Sequence, residues 1–93
     1  MIQRHVFIAG QVQGVGFRAS LIQQTTQYSG VRGFVRNLRD GRVEAVLQGP
    51  QKAILELVAW CSKGPSQARV SHLQVIEEPL NEALPSFKAQ ETV

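Results

Sequence analysis

A single cysteine, Cys61, stands in a chain of 93 residues, so no intramolecular disulfide can form. No histidine or acid lies at ligand spacing from it, and the reading left for Cys61 is a small buried hydrophobe on a helix. Long apolar runs are also missing. Nothing approaches the roughly 20 consecutive residues that a membrane-crossing helix requires, and the opening Met1-Ile2-Gln3-Arg4-His5 passes straight into a strand pattern without a cleavage-site pattern. A cytoplasmic protein with no membrane association is the expectation. Charge is sparse at 18% and only modestly biased, with a net +3 and a pI near 9.6. That balance favours anionic partners in general, a small phosphorylated molecule as well as a polymer. What is present is 43% hydrophobic residues, the composition of an ordinary globular protein. The length fits one domain over residues 1–93, with a core between a small sheet and one layer of helices.

Glycines are concentrated where they carry most meaning. Gly10-Gln11-Val12-Gln13-Gly14-Val15-Gly16-Phe17-Arg18 closes an apolar strand and opens a helix. Glycine admits positive φ and a close approach of backbone to ligand. Backbone N–H groups turned inward at a helix N-terminus, where the dipole adds partial positive charge, make a site for phosphate or another anion. Arg18 adds a full charge. The spacing matches neither familiar nucleotide fingerprint, since no Gly-Lys-Ser/Thr ending follows and the third glycine of a dinucleotide turn is missing. A nucleotide is therefore not the default ligand.

Along the chain, residues 5–11 read as a first strand and Ala19 to Ser29 as a helix with Leu21, Ile22, Thr25 and Tyr28 on one stripe. Val31 to Leu38 and Arg42 to Gln48 form the clearest hairpin, joined by Arg39-Asp40-Gly41. Gly49-Pro50 breaks that pattern and admits a second helix, with Ala53, Ile54, Leu57, Val58 and Cys61 as its apolar stripe and Lys63-Gly64-Pro65 as its stop. Residues 69–77 read as a fourth strand, residues 78–85 as a polar loop, and a short last strand falls near residues 86–90. The order β-α-β-β-α-β predicts an α+β, ferredoxin-like α/β sandwich, an antiparallel sheet with two helices on one face. In that topology the first and second strands run parallel with the third between them. Their C-terminal ends share one edge, which brings Val35-Arg36-Asn37 toward the glycine loop.

Val12-Gln13-Gly14-Val15-Gly16-Phe17-Arg18, together with Gly33-Phe34-Val35-Arg36-Asn37-Leu38-Arg39-Asp40-Gly41-Arg42-Val43 and Gly49, resembles the two signature segments of the acylphosphatase family. The resemblance implies an enzyme that hydrolyses the carboxyl-phosphate anhydride of a small acyl phosphate to a carboxylate and inorganic phosphate, with no cofactor and no metal. By that resemblance Arg18 is the phosphate-binding arginine, the backbone of Gln13, Gly14, Val15, Gly16, Phe17 and Arg18 holds the remaining oxygens, and Asn37 orients the attacking water. Inorganic phosphate is then expected as product and inhibitor, and a monomer is expected. The residue types suit these roles: a guanidinium is a planar fork of donors, and an amide offers both a donor and an acceptor without being a strong base.

Other polar residues have plainer readings. Ser20 lacks a signalled base and reads as an early-helix capping hydroxyl. His5 and His72 read as sheet-surface residues, Asp40 as part of its turn, and Glu44, Glu77 and Glu78 as solvated acids. Arg36, Arg39 and Arg42 read as surface charge near Asn37. RNA-recognition modules share the predicted topology, and Arg32-Gly33-Phe34-Val35 resembles their aromatic strand motif, but only Phe7 and Phe34 are available on central strands for base stacking. Nucleic acid is therefore not the expected partner. A third alternative is an accessory binding module of the kind embedded in larger carbamoyl-transfer proteins, against which both Arg18 and Asn37 argue.

Overall fold

The computed structural model describes residues 1–93. Its elements are β1 (Ile2–Gln11), α1 (Phe17–Thr25), β2 (Arg32–Asn37), β3 (Val43–Gly49), α2 (Gln51–Cys61), β4 (Arg69–Glu78) and β5 (Lys88–Ala89). The sheet order is β4-β1-β3-β2-β5, and β1, β2, β3 and β4 pair antiparallel wherever they are neighbours. The short β5 adds beside β2 in parallel through Phe34↔Lys88 and Val35↔Ala89. The predicted sandwich is the observed architecture.

Strand alternation decides which side chains meet the helices. Val6 and Ile8 of β1, Val35 of β2, and Val43, Ala45 and Leu47 of β3 are fully buried on one face. They pack with Leu21 of α1 and Ile54, Leu57 and Cys61 of α2 in one apolar cluster. The stripe read for α2 is thus its core face. Phe17, in the first turn of α1, lies 5.3 Å from Trp60 of α2 between ring centroids, which ties the start of one helix to the end of the other. No helix is long and apolar enough to cross a membrane.

Helix α1 differs from expectation at both ends. It starts at Phe17, two residues before the predicted Ala19, and its regular turns stop at Thr25. Beyond that point Gln27 and Tyr28 donate to carbonyls three residues back, and the Thr25 and Thr26 hydroxyls do the same. Such local competition tightens the backbone and ends the α-helical ladder. Tyr28 lies beyond the regular helix but still packs against the core as the stripe implies, and its hydroxyl donates to Glu56 Oε1 of α2 at 2.8 Å.

The face of the sheet without helices carries a connected polar network, and here the reading of Glu44 as a solvated acid is corrected. Glu44 is 6% exposed and accepts from Arg36 Nε and His5 Nε2, each at 2.6 Å. His5 Nδ1 meets Glu78 Oε2 at 2.8 Å, Gln3 Nε2 donates to Glu78 Oε1 at 3.0 Å, and Gln48 Nε2 donates to Gln3 Oε1 at 2.8 Å. The loop after β4 folds over this end, with Asn81 bonded to both Gln3 and Gln48. Both ring nitrogens of His5 face carboxylate oxygens, so this one side chain of β1 links Glu44 of β3 to Glu78 of β4.

Burial pushes the Glu44 carboxyl up, but the hydrogen bonds and charges of Arg36 and His5 outweigh it and hold Glu44 below the usual carboxylate range. A carboxyl lowered in the folded state stabilises the fold above its unfolded pKa, and that contribution is lost as pH falls through the folded value. Glu44→Gln is therefore expected to cost about 1–3 kcal/mol near pH 7. The gap from the parent should shrink as pH falls below the ordinary glutamate value. Denaturant unfolding at pH 7 and pH 3 checks this, and a gap that does not change with pH would contradict it.

Candidate active site

Residues 12–16 leave the end of β1 and enter α1 through Gly14 at φ 74° and Gly16 at φ 79°, both in the left-handed region. At neither position would a Cβ meet anything within 4 Å, so backbone conformation demands glycine there, not crowding. Gly16 is the N-cap of α1, no side chain caps that end, and no acid lies in the first turn. This corrects the reading of Ser20 as a cap. Ser20 instead lies one turn into the helix, where its N–H already donates to Gly16 O at 3.0 Å. The N–H groups of Phe17, Arg18 and Ala19 precede that first intrahelical bond and have no intrahelical acceptor. The uncapped, partially positive helix end opens on a cavity of about 380 Å³.

Asn37, the last residue of β2, lines the same cavity as Gly14, Gly16 and Arg18. The sheet explains the meeting. Asn37 pairs with Val43, and Val43 pairs with Ile8, so the ends of β1 and β2 flank β3 at one edge. Phe17, Ala19, Ile22 and Ala89 supply apolar wall. No carboxylate, imidazole or thiol is among the lining side chains. Val15 turns inward and packs against the core, and Gln13 reaches away to the turn after β2.

The arginines separate into those the fold uses and those it leaves free. Of the half-buried arginines, Arg4 bonds Gln3 O and Glu77, Arg36 bonds Glu44, and Arg42 bonds Asp40, whereas Arg18 makes no side-chain hydrogen bond or ion pair. The Asn37 side chain is likewise unused by any other protein group. The arginines read as surface charge are partly structural. Arg36 lies over the Phe34 ring at 5.0 Å and Arg42 over Phe7 at 4.9 Å, so guanidinium groups occupy ring faces that a stacked nucleobase would need. Asp40 accepts from the Arg42 N–H at 3.0 Å, and that bond, with the Arg42 guanidinium, holds its carboxyl below the usual range.

A wider concavity of about 770 Å³ lies between Gln3, Glu78 and the loop after β4. Its charged groups are Glu78 and Glu82, the wrong sign for an anion. Cys61 is a buried helix residue as expected, and burial pushes its thiol up to about 12, which leaves it protonated and unreactive.

The acylphosphatase family model matches residues 4–89. The chain belongs to the acylphosphatase family. It is 52% identical over 83 residues to an acylphosphatase of Roseiflexus sp., a match that covers 88% of each sequence. The crystal structure of acylphosphatase from Bacillus subtilis superposes with a TM-score of 0.89 at 31% identity, covering 97% of this chain and 99% of that one. Full-length HypF contains a similar region, with a TM-score of 0.85 and 27% identity over 98% of this chain but only 12% of its own. Family and fold together support acylphosphatase activity, with a small acyl phosphate as substrate.

Proposed function

We propose that the chain hydrolyses the carboxyl-phosphate bond of acyl phosphates without a metal, using Arg18 and the backbone N–H groups of residues 13–18 to hold the phosphate and Asn37 to orient the attacking water. The observation that carries this reading is the pair of uncommitted polar side chains, Arg18 and Asn37, lining one cavity with an uncapped helix N-terminus. An anion satisfies both the free N–H groups and the free guanidinium. Water held by the Asn37 amide attacks phosphorus in line, the new O–P bond forms, and the bond between phosphorus and the carboxyl oxygen breaks. The leaving carboxylate belongs to an acid of pKa near 4, so it departs without a general acid. With no His or carboxylate lining the cavity, the water proton passes to an oxygen of the substrate's own phosphate. The protein's contribution is then positioning and fixed positive charge, the usual means of catalysing phosphoryl transfer.

Phosphate release from benzoyl phosphate with EDTA present tests the proposal. The chain is expected to exceed the spontaneous rate by many orders of magnitude and to be unaffected by the chelator. A rate no faster than the spontaneous one ends the hydrolytic reading, and full loss with EDTA ends its metal independence.

A further inference from the structure

Gln13 is exposed, yet its side-chain amide nitrogen is fully committed. Its Nε2 donates to Leu38 O at 2.7 Å and to Arg42 O at 2.9 Å. Those two carbonyls close the turn after β2: Leu38 N donates to Arg42 O at 2.8 Å, and Gly41 N donates to Leu38 O at 3.1 Å. Gln13 directly precedes Gly14 of the glycine loop, and Leu38 directly follows Asn37. The glycine loop and the Asn37 strand end belong to strands that never touch, because β3 lies between them. No other side-chain hydrogen bond joins residues 12–16 to residues 37–42. One amide nitrogen therefore spans the two halves of the site and bears on the backbone next to each.

We propose that Gln13 is a positioning residue that sets where Asn37 stands relative to phosphate in the cavity. This rests on the hydrolytic reading above and goes beyond its assignment of backbone contacts to this position. The chemistry explains the residue type. Two N–H donors must leave a single atom toward two acceptors, which glutamate cannot supply, and asparagine is one methylene short. Loss of the bridge leaves Arg18 and the loop N–H groups in place to grip phosphate. It frees the turn to drift, and in-line attack tolerates little drift. Gln13 thus acts on turnover through Asn37 and not on phosphate affinity.

The experiment compares wild type, Gln13→Leu, Gln13→Glu, Asn37→Ala and the double variant Gln13→Leu/Asn37→Ala, with benzoyl phosphate as substrate and inorganic phosphate as competitive inhibitor. Gln13→Leu and Gln13→Glu are expected to lower kcat about tenfold, with the inhibition constant for phosphate within about twofold of wild type for Gln13→Leu. The melting temperature of Gln13→Leu should stay close to wild type because the side chain is exposed. In the Asn37→Ala background, Gln13→Leu should have no further effect on kcat, since two residues acting as one unit are not additive. An unchanged kcat for Gln13→Leu in an active wild type overturns this role alone. So does phosphate affinity falling as far as kcat, or independent multiplication of the two effects. A wild type without turnover overturns the hydrolytic reading, and this role with it.

Discussion

Arg18→Ala is expected to lower kcat/KM for benzoyl phosphate by about a hundredfold to a thousandfold, the usual loss when a preorganised donor to a transferring group is removed. In free energy that is about 3–4 kcal/mol of transition-state stabilisation. On the proposed reading the guanidinium offers two parallel N–H groups to phosphate oxygens, and such charge-assisted bonds are stronger than neutral ones. Arg18→Lys keeps the charge but not the fork, so it should recover only part of the loss. The inhibition constant for inorganic phosphate should rise along with KM, because product and substrate share the cradle.

Stability separates this role from a structural one. Arg18 makes no ion pair or side-chain hydrogen bond, and it places a positive charge in the first turn of α1, next to the positive end of the helix dipole. Like charge there costs the helix about 0.3–1 kcal/mol. Arg18→Ala should therefore melt at the same temperature as wild type or slightly above it. A fall in melting temperature to match the fall in rate would mean that Arg18 serves the fold instead.

The parts of this molecule legible in the sequence are those written in contiguous residues or in strong periodicity. Gly14 and Gly16 announce a left-handed loop, and the loop, α1 and β2 in succession require a crossover that brings Arg18 and Asn37 to one edge. The α2 stripe from Ala53 to Cys61 is visible because every fourth position is apolar. What stays hidden is long-range polar pairing. Glu44 sits at an outward position of β3, and nothing local shows that His5 and Arg36 close over it from the strands on either side. The Gln13 bridge is hidden for the same reason, since its acceptors are backbone carbonyls of a turn remote in sequence. Apolar burial follows a pattern along the chain, whereas hydrogen-bond partners depend on register between strands.

Asn37→Ala is expected to lower kcat by about a hundredfold while leaving the inhibition constant for phosphate within about twofold of wild type. This split is the opposite of that expected for Arg18→Ala, and it follows from the division of labour between the two side chains. On the proposed reading, phosphate is gripped by Arg18 and the helix end, which Asn37→Ala does not alter. The attacking water, by contrast, would lose the amide that accepts a hydrogen bond from it and donates one to its oxygen, and so would reach phosphorus in the wrong orientation most of the time. The backbone of Asn37 is held independently of its side chain, through pairing with Val43 and acceptance of the Val93 N–H at 3.2 Å, so alanine should leave the strand end where it is. Asn37→Asp sharpens the test: it keeps the shape and an acceptor but adds a negative charge beside the phosphate, so both kcat and phosphate affinity should fall. An Asn37→Ala protein with full turnover would remove the water-orienting role while sparing the phosphate cradle. One in which KM rises with kcat unchanged would reassign Asn37 to substrate binding.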